Sequence, residues 1–175
     1  LQTYQRALVK AGAAASLEDL LQQINFWVPR ILPARFSFIW IEGRGVFPRG
    51  LGEENPGWLN IANRLGETEK ADFIERNHTE FPDKLLPAGI NSFIVLPLPT
   101  NANYKAALFI IEPDNGMAQF AARQEMLLNL CSRVHNVLLV ERDNKQTEME
   151  HLRLMGIALK AIESSAPGFS GHAMR

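Results

Sequence analysis

SFIVLPLPTNANYKAALFIIE, residues 92–112, decides the fold. It reads as two apolar runs around a short polar turn. Phe93, Ile94, Val95, Leu96 and Leu98 make the first run. Tyr104, Ala106, Ala107, Leu108, Phe109, Ile110 and Ile111 make the second. Between them Pro99, Thr100, Asn101, Ala102 and Asn103 are turn-formers. Continuous runs of this kind suit strands covered on both faces, and the connection is short enough for a hairpin. The hairpin is expected at the centre of an antiparallel sheet, with the rest of the chain wrapped around it.

Upstream, Ser16 is a good helix N-cap with Asp19 at capping-box spacing. Leu17, Leu20, Leu21, Ile24, Trp27, Val28, Ile31 and Leu32 then recur at three and four, predicting a helix over 17–32. Pro29 is expected to bend it or end its regular part. A shorter helix is expected over 3–12, stopped by Gly12. Residues 36–42 (FSFIWIE) predict a strand with Phe36, Phe38 and Trp40 on one face and Ser37, Ile39 and Ile41 on the other. Val46 and Phe47 suggest a short return strand, and residues 49–54 a loop. Asn55, Pro56 and Gly66 bracket a helix over 56–65. Residues 67–91 are the least regular stretch, with a short strand around Phe73 and Ile74.

The longest helix is expected over 119–163. Phe120, Met126, Leu127, Leu130, Cys131, Val134, Val137 and Leu138 keep helical spacing. In heptad terms Leu138, Lys145, Leu152 and Leu159 share one seam position. Glu141, Glu148, Met155 and Ile162 share the other. The seam is apolar at both ends and charged in the middle. It fits either a weak parallel coiled coil between two chains or a solvated linker helix.

At 175 residues with net charge −1, the chain supports one ordinary domain plus extra helix. The balanced charge gives no support to nucleic-acid binding. Cys131 is the single cysteine, which rules out an internal disulfide and fits a reducing cytoplasm. No apolar run reaches the ~18 residues that span a bilayer. The chain begins at Leu1 and reads as a piece of a longer polypeptide.

The order of helix, aromatic strand, irregular middle, apolar hairpin and long helix resembles a GAF domain. LEDLLQQINFWVPRILPARFSFIWIEG (17–43) is similar to the family's opening helix and first strand. INSFIVLPL (90–98) is similar to its inner strand. AALFIIEPDNGMAQFAARQEMLLNLCSRVHNVL (106–138) is similar to its last strand and closing helix. The resemblance implies an α+β fold: a GAF-like central antiparallel sheet of about six strands, with the N- and C-terminal helices packed on one face. A ligand pocket, where the family has one, lies on the other face under the irregular middle.

A second resemblance lies in LKAIESSAPGFSGHAMR (159–175), which is similar to the start of an HD-type phosphohydrolase domain of the HD-GYP kind. His172 matches an early histidine that is a metal ligand in some members. No His-Asp pair follows, so the metal site is incomplete in these residues. The expected organisation is a helical extension over 1–15, a GAF-like sensor over 16–141, a connector over 142–166 and the start of an HD output domain over 167–175.

Enzyme signatures are missing. No His-Glu-x-x-His, Cys-x-x-Cys, Gly-x-Ser-x-Gly or phosphate-loop spacing occurs. His135 and His151 are expected at the helix surface or seam, and Cys131 as a buried structural residue. No catalytic residue and no cofactor is required. The candidate ligand-binding set is Phe38, Trp40, Trp58, Phe73, Phe81 and Phe93, with Arg64, Arg76 and His78 as polar partners. Aromatic walls with a few polar groups suit a small-molecule site, but half-buried strands favour aromatics for packing alone. The Asn-Lys-Phe…Asp-Glu signature of the family's cyclic-nucleotide binders is missing, which speaks against cyclic AMP or GMP. The expected function is a non-catalytic regulatory sensor of a bacterial signalling protein. It would bind a small ligand or partner and form a homodimer through the long C-terminal helix. The alternatives are a ligand-free dimerisation spacer and, last, an enzyme.

Overall fold

The computed structural model describes residues 2–76, 89–99, 104–114 and 116–165. Elements follow in the order α1 (Gln2–Gly12), α2 (Leu17–Ile31), β1 (Ala34–Ile41), β2 (Gly45–Phe47), α3 (Arg49–Glu54), α4 (Pro56–Leu65), β3 (Asp72–Glu75), β4 (Ser92–Pro97), β5 (Ala106–Pro113) and α5 (Gly116–Ser165). The chain divides into a compact unit, Leu1–Val137, and a second unit, Leu138–Arg175.

The first unit is built on one antiparallel sheet of order β2-β1-β5-β4-β3. The hairpin strands β4 and β5 are adjacent, and β5 is central. The sheet has five strands among the described residues, not six. Its edges are blunt: β2 has three residues and β3 four, too little open backbone to template another strand.

Strand register sorts the side chains into two faces. Phe38 pairs with Phe109, Phe93 with Ile111, Ile74 with Phe93 and Trp40 with Ala107. These residues share one apolar cluster with Trp58, Ile61 and Ala62 of α4. The opposite face carries Ile39, Ile41, Ile94, Leu96, Leu108 and Ile110, all buried. That face belongs to the helices: Leu20, Leu21, Ile24 and Val28 of α2 are buried, as are Phe120, Leu127, Leu130, Cys131 and Val134 of α5. Arg123 of α5 donates to the Ile31 carbonyl at the end of α2 (2.6 Å). β5 is apolar at nearly every position because both its faces are covered.

Local signals account for most boundaries. Ser16 Oγ accepts from the Asp19 amide (3.1 Å), and Asp19 Oδ2 accepts from the Ala15 amide (3.1 Å). Asn55 Oδ1 accepts from the Gly57 amide (3.0 Å) and starts α4. Pro29 does not end α2, which runs on to Ile31. A proline there has no N–H for the carbonyl four residues back, that of Asn25. Ser37 Oγ of β1 donates to this carbonyl (3.3 Å). Ser37 is the one buried polar side chain among the described residues. A polar residue on a core face thus compensates for a proline in a helix. Residues 49–54, expected as loop, form the short helix α3, whose last amide bonds the Leu51 carbonyl (Asn55 N–H, 3.2 Å).

In the second unit, α5 residues 138–162 are mostly exposed. Leu152, Met155, Leu159 and Ile162 stand 62%, 61%, 45% and 61% exposed.

Candidate functional site

The aromatic face of the sheet is assembled from rings on β1, β4, β5 and α4. β1 and β5 pair in a register that brings Phe38 opposite Phe109. The two rings stack at 4.7 Å between centroids with a 6° interplanar angle. Phe93 of β4 extends the stack at 6.3 Å from Phe109. Trp58 of α4 closes over this layer, edge-on to Phe38 (5.3 Å) and to Phe36 (5.6 Å). Such edge and offset contacts are the favoured aromatic geometries. Trp40 lies beside them, and its indole Nε1 donates to Asn63 Oδ1 of α4 (2.8 Å). Gly66, just after α4, lies directly on the Trp40 ring. A Cβ there would stand 2.2 Å from Trp40 Cε3.

Phe38, Trp40, Trp58 and Phe93 are therefore brought together, each at most 3% exposed. Their ring surfaces are spent on one another. Phe73 does not join them. It pairs with Ile94, so it shares the helix-covered face, and it is half-buried. Arg64 is exposed on α4. Arg76 follows β3, where its Nε donates to the Ile90 carbonyl (3.0 Å) and its amide to the Asn91 carbonyl (2.7 Å). These bonds tie the end of β3 to the start of β4. His78, Phe81 and His172 lie outside the described residues, as do Asn77 and most of the hairpin turn.

Three clefts of the first unit lie on the helix side instead. One, of about 590 Å³, is bordered by Leu96 and Leu98 of the β4 end and by Phe120 and Leu128 of α5. A second, of about 310 Å³, lies among Tyr4, Arg30 and Arg123. Arg30 and Arg123 have neutral partners, the Phe26 and Ile31 carbonyls and Gln119, and so serve as C-terminal caps of α2. The third lies between α1 and α2 and is about 350 Å³.

Two titratable side chains on α5 are informative. Cys131 is buried, and desolvation pushes its thiol from 9.0 up to about 12, so it is a packing residue with no thiolate at neutral pH. His135 is half-buried, not a free surface residue: Tyr104 Oη stands 2.9 Å from its Nδ1 and 3.3 Å from its carbonyl oxygen. Burial raises the Tyr104 phenol above its ordinary value, against a smaller lowering by Arg44. Sequence spacing gave no hint of this pair, which lies 31 residues apart. Among the described residues no group of three or more His, Cys, Asp or Glu side chains is placed to hold a metal ion, and no helix is long and apolar enough to cross a membrane.

Solved structures place this architecture. The GAF domain of an Acinetobacter phosphoenolpyruvate-protein phosphotransferase superposes with a TM-score of 0.59 at 17% identity, covering 81% of this chain and 93% of that one. The fold is that of a GAF domain. The GAF domain of the Coxiella burnetii phosphoenolpyruvate-protein phosphotransferase gives 0.59 at 14% identity, covering 83% and 95%. An N-acylhomoserine lactone dependent LuxR family transcription factor from Burkholderia cenocepacia gives 0.57 at 8%, covering 79% and 96%. No family model matches the chain, and no curated protein is similar to it in sequence. In this GAF fold the face opposite the helices is the aromatic layer described above, closed by α4.

Proposed function

We propose that the protein is a regulatory, non-catalytic module of a cytoplasmic signalling protein, a GAF-type domain whose long helix α5 pairs with that of a second copy and carries its state to an output domain. One observation carries this reading. α5 continues to Ser165, and Leu152, Met155, Leu159 and Ile162, at alternating spacings of three and four, are 45–62% exposed. An exposed apolar stripe of that period is what a coiled-coil partner covers. Leu138 and Leu152 bracket Lys145, and Met155 follows Glu148, so the seam is charged midway. Burying those charges is costly, which makes this stretch a suitable two-state element for a signal.

A second reading is a dimerisation spacer that takes no ligand. The packed Phe38–Phe109–Trp58 layer favours it, because its apolar surface is already satisfied. The finer reading, that the output is an HD-type phosphohydrolase of the cyclic-dinucleotide kind, rests on the resemblance of residues 159–175, with His172 as its one candidate metal ligand.

Native mass spectrometry of the purified protein, before and after gentle activation, tests the proposal. A dimer is expected. A dimer that sheds a discrete small mass favours the sensor, and a dimer without one favours the spacer. A monomer at all concentrations refutes pairing through α5.

A further inference from the structure

α5 is tied to the start of β5 at the place where it leaves the first unit. Tyr104 Oη stands 2.9 Å from His135 Nδ1 and 3.3 Å from the His135 carbonyl oxygen. Both residues are half-buried. The first unit ends at Val137, two residues beyond His135. Leu138 is the last buried side chain of α5 among the described residues. The helix then runs on, mostly exposed, to Ser165.

Both contacts of the phenol are with one residue. A tyrosine hydroxyl has a single hydrogen to give and can also accept. When Nδ1 is bare, the hydroxyl donates to it across the shorter contact. When Nδ1 carries a hydrogen, the ring donates to Oη, and the hydroxyl donates to the His135 carbonyl instead. Either way Tyr104 holds His135, through the ring or through the helix backbone.

The other end of the tie is fixed. Tyr104 comes two residues before β5, and its neighbour Lys105 is clamped to the residue after β1. The Glu42 amide donates to the Lys105 carbonyl (2.9 Å), and the Lys105 amide donates to Glu42 Oε2 (3.0 Å). Lys105 Nζ meets Glu67 Oε2 at 2.7 Å, next to Gly66 on the Trp40 ring. That ion pair is about half exposed on both sides and adds little stability. The contact that crosses from this segment to α5 is the Tyr104 hydroxyl.

We propose that Tyr104 is a latch on α5. With its hydroxyl engaged, the turn around His135 is held on the sheet. With it released, that turn opens and Leu138 leaves its buried position. Segments held by few buried contacts open at low cost, and beyond Leu138 no described side chain of α5 is buried. The latch lies within one chain. Only its use, passing a displacement of Tyr104 and Lys105 on to α5, rests on the regulatory reading above.

Tyr104→Phe removes the hydroxyl and keeps the ring. Backbone hydrogen exchange of the full chain, wild type against this variant, tests the latch. The amides of residues 138–141 are expected to exchange about five- to tenfold faster, the loss of one hydrogen bond. The amides of β4 and β5 are expected to be unchanged, which also shows that the variant folds. The histidine ring nitrogens give a second readout in ¹H–¹⁵N spectra. There are four histidines, and His135→Gln identifies the His135 ring signals by their loss. The His135 Nδ1 signal is expected to move in Tyr104→Phe, and those of the other three histidines to stay. Unchanged exchange at 138–141, equal acceleration throughout the chain, or an unmoved His135 Nδ1 signal would each overturn the latch. Sedimentation of the same samples separates the latch from pairing. A monomer with the localised change supports the latch and refutes pairing through α5, whereas a dimer without it overturns the latch and leaves pairing intact.

Discussion

Truncating Leu152 and Leu159 to alanine should separate a pair of chains without unfolding either one. The two residues are 62% and 45% exposed in the single chain, so each has roughly half its side chain left to bury. Full burial of a leucine is worth about 1.5–3 kcal/mol, which leaves roughly 1 kcal/mol per residue for association. A symmetric dimer loses two leucines from each chain, or about 4 kcal/mol. At 1.4 kcal/mol per factor of ten, the dissociation constant should rise about a thousandfold. Residual cavities at the seam push the effect upward. Alanine is at least as good a helix former as leucine, so helicity should be unchanged. A sedimentation-velocity dilution series reports the association, and far-ultraviolet circular dichroism the helix. Two results refute the reasoning: a wild-type chain that stays monomeric, or a variant whose dissociation constant is within about threefold of wild type.

Replacing Lys145 and Glu148 together by leucine fills the charged part of the same seam and should tighten the pair, seen as a dimer persisting to lower concentration in the same dilution series; an unchanged dissociation constant would place these residues off the seam. Ser37→Ala leaves the Asn25 carbonyl without its donor and should cost about 1–2 kcal/mol in urea unfolding. In the Pro29→Ala background the restored amide supplies that donor, so the Ser37→Ala cost should shrink by about 1 kcal/mol, and a double-mutant cycle without coupling would rule out the compensation. Cys131 has its folded-state pKa raised from 9.0 to about 12 by burial, so its contribution is fully present below pH 9 and is lost as pH rises towards 12. Urea midpoints should fall over that range, with a slope of about 1.4 kcal/mol per pH unit from this group, and Cys131→Ala should flatten the fall.

The elements that could be read from the chain are those whose pattern is long enough to average over exceptions. The repeats of α2, α4 and α5 and the two apolar runs of the hairpin are of this kind, and each sits within a few residues of its expected place. α3 was not legible because RGLGEE has two glycines and no apolar period; its helix depends on neighbours, β2 before it and α4 after it. Phe73 was misleading for a different reason. β3 has four residues, and in so short a strand the facing side is decided by which partner residue it meets, here Ile94. Pro29 carried a local message that tertiary structure overrides through Ser37. In the aromatic set, the residue types were right for a pocket and equally right for a core, since both call for rings on alternate strand positions. Trp58 comes down edge-on to Phe36 and Phe38, an arrangement that packing alone accounts for.

The two faces of the sheet offer unequal opportunities for a signal. On the aromatic face, opening space means parting Trp58 from Phe36 and Phe38 and breaking the fit of Gly66 on Trp40. Large buried rings make such a displacement costly. On the helix face, α1 packs on α2 and the side chains it buries are the small Ala7 and Ala11, so a small shift of α1 loses little packing. The α1–α2 groove lies at this contact, and the end of α2 is tied to α5 by the Arg123 bond to the Ile31 carbonyl. A ligand can bias a protein only by as much as it prefers one arrangement over another. The helix layer of the first unit is then the face where packing yields at less cost, while the aromatic layer behind it keeps the sheet rigid.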